Sequence, residues 1–484
     1  MRNSLIVRSV TLTAIVLTLA LAANAQLTYP LFTVNSTADA VDINPGDGIC
    51  ADSENRCTLR AAVQEANAAS THFPVIAFSL SYPAVINLTL GEININTNGN
   101  YYYIVGPGAR LLTVQRSPNA KGMFRVFNVT SDSPPQFFKQ VRMRGLTIKN
   151  GMGGSQFPGG GIRVGLGVLL SLSKATLIGN TSEFGGAAAV EGNTSFPSHT
   201  ALALLQVLVV SNSASKGGAV YVSAGSQLAT VNTTITNNSA PEGGAIYSSG
   251  TTQLLNSTIS HNSAALSASS ILNTTGNPDV RVFNSIIAND TSLPVTALAG
   301  TFLSDGNNII TDARGSSGFV NGVKSDQVSD SNGIDPRLGP LSDNGGPTDT
   351  RILLAGSPAI DAGNGCIFTG CPVSSPPANY SFDQRVHNRA SVGSAPDIGA
   401  VEADGEAIMA EILAHRQAPL SLPRTLYYGS QAVILDLESG ERSIVGVNPF
   451  GQFIMRWKVG RIYLLDFRVK RGSPRVRRDL IEAG

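Results

Sequence analysis

Short apolar runs rich in β-branched residues recur along the middle of the chain, most of them ending on Asn. They read Leu146-Thr-Ile-Lys-Asn150, Thr176-Leu-Ile-Gly-Asn180, Leu208-Val-Val-Ser-Asn212, Thr234-Ile-Thr-Asn237, Thr258-Ile-Ser-His-Asn262 and Ser285-Ile-Ile-Ala-Asn289. In most copies an apolar residue stands two places before the Asn, hence on the same side of an extended strand, and only His261 interrupts that register. Between the runs lies a second marker, Gly-Gly followed by small and apolar residues, at Gly160-Gly161, Gly185-Gly186, Gly217-Gly218 and Gly243-Gly244. The Asn-to-Asn spacings of 30, 32 and 25 residues suit one supersecondary unit stacked on the next, with loops of unequal length.

A three-residue strand cannot bury its apolar side alone, but coils stacked ~4.8 Å apart give it neighbours above and below. The pattern therefore predicts an all-β fold, a right-handed parallel β-helix, with Ile and Val inside. Asn150, Asn180, Asn212, Asn237 and Asn289 are expected to form a structural ladder at one corner, and Gly-Gly to mark another where a Cβ would not fit. Strand-like sequence from Ile76 to Val401 would make about twelve coils of ~25 residues, a rod of roughly 60 Å. Its ends need caps. The clearest short helix, Thr58 to Ala69, has Thr58 as N-cap and Leu59, Ala62, Val63 and Ala66 on one face, and is expected to cap the N-terminal end.

The first residues change the setting. Arg2 and Arg8 precede an apolar run from Val10 to Ala23, which closes on Ala23-Asn24-Ala25, the form of a secretory signal peptide cleaved after Ala25. Beyond it no apolar stretch approaches the ~20 residues needed to cross a bilayer, so a secreted or cell-surface monomer is expected. In an oxidising compartment the four cysteines, close in sequence as Cys50 with Cys57 and Cys366 with Cys371, are expected to form two local disulfides. A net charge of +1 with 14% charged residues gives no general attraction to nucleic acid.

Two stretches carry a resemblance. Phe32-Thr-Val-Asn-Ser-Thr-Ala-Asp39 through Cys57-Thr-Leu-Arg-Ala-Ala-Val-Gln-Glu-Ala-Asn67 resembles the CSLREA N-terminal module of exported bacterial β-helix proteins, with Thr58 for its Ser and Ala61 for its Glu. Asp335-Pro-Arg-Leu-Gly-Pro-Leu-Ser-Asp-Asn-Gly-Gly-Pro347, Gly356-Ser-Pro-Ala-Ile-Asp361, Asp383-Gln-Arg385 and Asp397-Ile-Gly-Ala-Val-Glu402 resemble the closing module of choice-of-anchor (Q-type) proteins. These likenesses imply an exported β-helix followed by an attachment device. The alternating residues from Gln431 to Phe453 resemble part of a carboxypeptidase-regulatory-like β-sandwich. The expected organisation is a signal peptide over 1–25, a capping module over 26–75 and the solenoid with its closing module over 76–402. A linker over 403–424 and a small β-domain with a basic tail over 425–484 complete it.

Candidate chemistry is sparse. Glu183, Lys216 and Glu242 each precede a Gly-Gly marker by one or two residues and should stack on successive coils, either as a solvated charge ladder or, in a polysaccharide lyase or glycoside hydrolase working along a groove, as its acid–base groups. The ladder reading is preferred and no catalysis is expected. Asp39, Asp42 and Asp47 crowd a loop near Cys50 and are a weak calcium candidate, with no other cofactor expected. Asp361, Arg385, Asp397 and Glu402 are expected to pair and close the last coils. The five histidines show no metal spacing and no G-x-S-x-G occurs. The function expected is a structural and adhesin-like binding rod with glycan or surface-protein partners.

Overall fold

A computed structural model describes residues 30–69, 73–96, 101–131, 139–156, 158–194, 200–288, 295–331, 333–354, 356–369, 381–389 and 395–403, together with six strands beyond residue 416. The expected signal peptide, Cys371 and Asn289 lie outside these residues.

The body is a parallel β-helix whose coils contribute a strand to each of three faces, here sheets A, B and C. Sheet B stacks ten parallel strands from Ala84–Leu88 to Gln327–Val328, nine steps of ~4.8 Å or a rod of roughly 43 Å. The coils thus stop well before Val401. Register explains the sequence repeat: Ile86, Val114, Ile148, Leu177, Val209, Ile235, Ile259, Ile287 and Ile310 pair one above another, and every one is fully buried. At ~1.5–3 kcal/mol for each such side chain this column alone is a large stabilising term.

Corners between the faces turn each coil, and at many of them a residue takes the left-handed conformation. One series is Asn150, Gly179, Ser211, Asn237 and His261, at φ between 54° and 65°. The residue after each forms the ladder. Asn180 donates its backbone N–H to Asn212 Oδ1 (3.0 Å), Asn212 to Asn238 Oδ1 (3.0 Å) and Asn238 to Asn262 Oδ1 (2.9 Å), while the side-chain amides donate along the same column. Asn180 and Asn212 belong to it, whereas Asn150 and Asn237 do not. Both are corner residues, and the ladder positions beside them are Gly151 and Asn238. His261 interrupts nothing, since it is a corner residue followed by the ladder's Asn262. At the Gly-Gly corner, Gly185 needs its φ of +65°, and a Cβ on Gly186 would lie 2.4 Å from Gly218 O on the next coil.

The N-terminal end is closed by helix α1, Leu59–Ala68, whose N-cap Thr58 accepts from Ala61 N. Leu59, Ala62, Val63 and Ala66 are buried beneath the first coils. The first strand, Leu31–Val34, already pairs with Val75–Phe78, so coil and cap are interwoven. Cys50 and Cys57 form a disulfide. Cys366 is also disulfide-bonded.

The described residues between 334 and 403 add no coil to the end of the rod. They run as a strap across the outer face of sheet B, from Arg110, which binds Asp343, Asp349 and Gly346 O, to the last coils, where Gln327 donates to Pro358 O. An apolar seam joins Ile286, Ala288 and Ile309 to Leu353, Ala359 and Ile398. Outward-facing threonines do the rest: Thr234 bonds Gln384 Oε1, Thr236 Oγ1 accepts from Arg351 and Thr258 Oγ1 from Ala400 N. Beyond residue 416, Arg442–Gly446, Gln431–Asp436, Ile462–Arg468 and Val476–Glu482 form an antiparallel sheet, and Gln417–Ser421 pairs with Gln452–Arg456. None of the described helices is long and apolar enough to cross a membrane.

Candidate functional site

The most densely functionalised surface is a ledge on sheet C and the adjoining Gly-Gly corner. Strand Thr181–Phe184 pairs with Ser213–Lys216 so that Phe184 stands opposite Lys216, and Lys216 bridges to Glu242 on the following coil. The residue immediately before the left-handed glycine sets this column, which makes it Phe184, Lys216 and Glu242. Glu183 is one residue out of register and does not join Lys216 and Glu242. Lys216 Nζ lies 3.5 Å from Glu242 Oε2 and 5.0 Å from the Tyr247 ring centroid.

Beside this column runs the outer row of sheet C, in the register Asn94, Asn128, Arg163, Ala189, Tyr221, Tyr247 and Leu272. Asn128 donates to Asn94 Oδ1 at 2.8 Å, Arg163 to Asn128 Oδ1 at 3.2 Å, and Arg163 forms a close ion pair with Glu191. Tyr221 and Tyr247 stack at 5.4 Å between centroids, and Phe184 lies 5.1 Å from Tyr221. Phe184, Tyr221, Lys216, Tyr247 and Glu242 are all half-buried. The outcome is two short strips on one face, the bonded amides and guanidinium of Asn94, Asn128 and Arg163 and the stacked phenols of Tyr221 and Tyr247, separated by the coil of the buried Ala189.

Tyr247 foremost, and then Glu242, hold the Lys216 ammonium above the ordinary lysine range. Burial raises the Tyr221 phenol. A lysine so stabilised is a fixed cation near neutral pH, suited to holding a ligand oxygen and poorly matched to proton transfer, which favours groups that titrate near the working pH. The missed members, Phe184, Tyr221 and Tyr247, stood in the sequence as aromatics flanking the glycine pairs.

The remaining candidates serve elsewhere. Asp39 binds the Arg60 guanidinium at 2.7 Å and the N–H groups of Thr89 and Leu90. Asp42 accepts from Asn44 N and Ala51 N, and Asp47 from Ile49 N and Asn44 Nδ2. These carboxylates point at separate backbone donors and do not converge, and no described set of His, Cys, Asp or Glu is arranged to hold a metal ion.

The charges expected to close the last coils fasten the strap instead. Arg385 pairs with Asp383 at 2.9 Å and Arg389 with Glu402 at 3.0 Å; Arg389 also donates to Gly399 O and to Asn232 Oδ1 on the rod. Asp397 accepts from the N–H groups of Asp361 and Ala403. Three buried carboxylates, Asp383, Asp397 and Glu402, thus face two guanidiniums. Burial raises Asp397 and pushes Glu402 up to about 8, so the cluster holds a proton near neutral pH.

No protein-family model, curated protein or solved structure matches the chain.

Proposed function

We propose that this is an exported β-helix that works as a non-catalytic binding rod, with the sheet C ledge as its ligand face and a repetitive glycan as its ligand. The observation that carries this reading is the pair of in-register strips on this face, Asn94, Asn128 and Arg163 on one side of the buried Ala189 and Tyr221 and Tyr247 with Lys216 and Glu242 on the other, in which polar and aromatic groups recur at the coil spacing. A ligand with its own repeat can meet such a strip at several coils at once, and many weak hydrogen-bonding contacts then add up without a deep pocket.

Export is supported by the form of residues 1–25, by the Cys50–Cys57 disulfide and by the likeness of the two ends of the rod to the CSLREA and choice-of-anchor modules. Arg60 matches that N-terminal motif and holds its module to the coils through Asp39, Gly91 O and Glu92 O.

Affinity electrophoresis of the full chain through gels containing different neutral and acidic polysaccharides tests the reading. Retardation by at least one polymer, weakened in Tyr221→Ala and Tyr247→Ala, is the expected result. Retardation by none, or retardation untouched by both substitutions, would remove the ledge as the ligand face.

A further inference from the structure

A second surface stands apart from the ledge. The outer face of sheet A is indented over four successive coils by a groove of about 540 Å³, lined by Tyr103, Gln140, Arg142, Ser171, Ala203 and Gln206 among others. No carboxylate lines it, while Arg142, Arg144 and Lys174 do. Arg144 and Lys174 are largely buried in the wall. Arg142 is different: its side chain is exposed, pairs with no described carboxylate, and lies 5.8 Å from the Tyr103 ring centroid.

Register makes the groove a track. Tyr103, Arg142, Ser171, Ala203, Ala229 and Gln253 follow one another outward on consecutive coils. Small side chains at Ser171, Ala203 and Ala229 leave the floor open for roughly 10 Å beyond the guanidinium at ~4.8 Å per coil. The amides of Gln140 and Gln253, the Ser171 hydroxyl and the Oε1 of Gln206, whose Nε2 donates to Asp383 O at 2.7 Å, offer neutral hydrogen-bonding groups around that floor.

We infer that this groove binds an acidic polysaccharide, with the Arg142 fork taking a carboxylate of one sugar and the Ser and Gln side chains taking ring hydroxyls of its neighbours. A planar guanidinium already steadied by an aromatic ring matches a carboxylate in two-point geometry. One exposed cation among neutral hydrogen-bonding groups suits a sugar acid better than the dense phosphates of a nucleic acid, which call for several exposed cations.

The test uses the full chain in affinity electrophoresis with polygalacturonate, its fully methyl-esterified form and single-stranded DNA as probes. Polygalacturonate should retard the protein, and Arg142→Gln and Ala203→Glu should each weaken that binding about tenfold, the first by removing the fork and the second by placing a carboxylate on the floor. Both positions are on the surface, and thermal unfolding checks that the variants fold. The esterified polymer and the DNA should bind at least about tenfold more weakly. No retardation, retardation unchanged in both variants, or equal binding of the esterified polymer would overturn the inference, and equally tight DNA binding would make the groove a general polyanion site. Loss of polygalacturonate binding in Tyr247→Ala with Arg142→Gln and Ala203→Glu unaffected would move the acidic polymer to the ledge and overturn the inference, so failure of the groove and failure of the ledge are read separately.

Discussion

Truncating Asn238 to Ala should be among the most damaging single changes to the rod. Its Oδ1 accepts from Asn212 N at 3.0 Å and Asn212 Nδ2 at 2.9 Å, and its Nδ2 donates to Val209 O, Thr236 O and Asn262 Oδ1. The side chain is 1% exposed, so water cannot replace these bonds. The Asn212 N–H loses its acceptor outright, at ~1–3 kcal/mol for an orphaned buried donor, and the other four bonds are worth ~0.5–1.5 kcal/mol each, so even the low ends of these ranges place the change at about 3 kcal/mol or more. Asn237→Gly, one residue earlier, is the control. Asn237 is an exposed corner residue at φ 57°, a conformation glycine adopts freely, and the change removes only a long bond from Arg351 Nη2 to Asn237 Oδ1 (3.4 Å), so it should stay within about 1 kcal/mol. Urea unfolding followed by circular dichroism gives the ordering, and amide exchange of Asn212 reports the local loss, which matters because coils of a solenoid can open separately. Equal destabilisation by the two substitutions, or an Asn212 amide still protected in Asn238→Ala, would refute the ladder.

Further expectations concern the strap, the cap and the ledge. Arg389→Ala removes the donors to Glu402 Oε2, Asp397 O, Asn232 Oδ1 and Gly399 O and, at ~0.5–1.5 kcal/mol for each bond, should destabilise the strap by about 2–6 kcal/mol, seen as rapid proteolysis within residues 334–403 before the coils are cut. Because burial lifts Glu402 from 4.5 to about 8, the folded state holds a proton that the unfolded chain has released. Stability from this group is full below about pH 4.5 and is lost as pH rises through 8, and Asp397, also raised, acts with the same sign. The melting temperature should fall from pH 6 to 9, less steeply in Glu402→Gln. Replacing Cys50 and Cys57 by Ser reopens a loop spanning a separation of 7 residues and should cost about 2–3 kcal/mol, read as faster amide exchange in helix α1. Lys216→Ala removes a partly exposed ion pair and should change stability by less than about 1 kcal/mol, with a binding defect in gels as its main effect.

The solenoid was legible because its strands recur with an inward apolar residue in each coil, and cap helix α1 because Thr58 and its apolar face are local signals. The ladder was displaced at some coils because two asparagines compete for neighbouring roles. Asn237 and Asn238 both suit a turn, and only the stacking of coils decides which is the corner and which faces inward. The same one-residue ambiguity beside Gly185 makes Glu183 and Phe184 equivalent in sequence, and only strand register puts Phe184 in the column. The strap's course was hidden for another reason. Thr234, Thr236 and Thr258 face outward, as polar residues ordinarily do, yet they are buried, and sequence alone gives no sign that residues more than 90 positions later cover them. Arg389, which fastens strap to rod, lies outside the motif that drew attention to Arg385.

Prolonged incubation of the full chain with any polymer that retards it, followed by assay for new reducing or unsaturated ends, tests most directly whether the rod binds without chemistry. Saturable retention with the polymer recovered intact is the predicted result. New chain ends that accumulate with time and disappear in Lys216→Ala or Glu242→Gln would contradict it and make the ledge an active site.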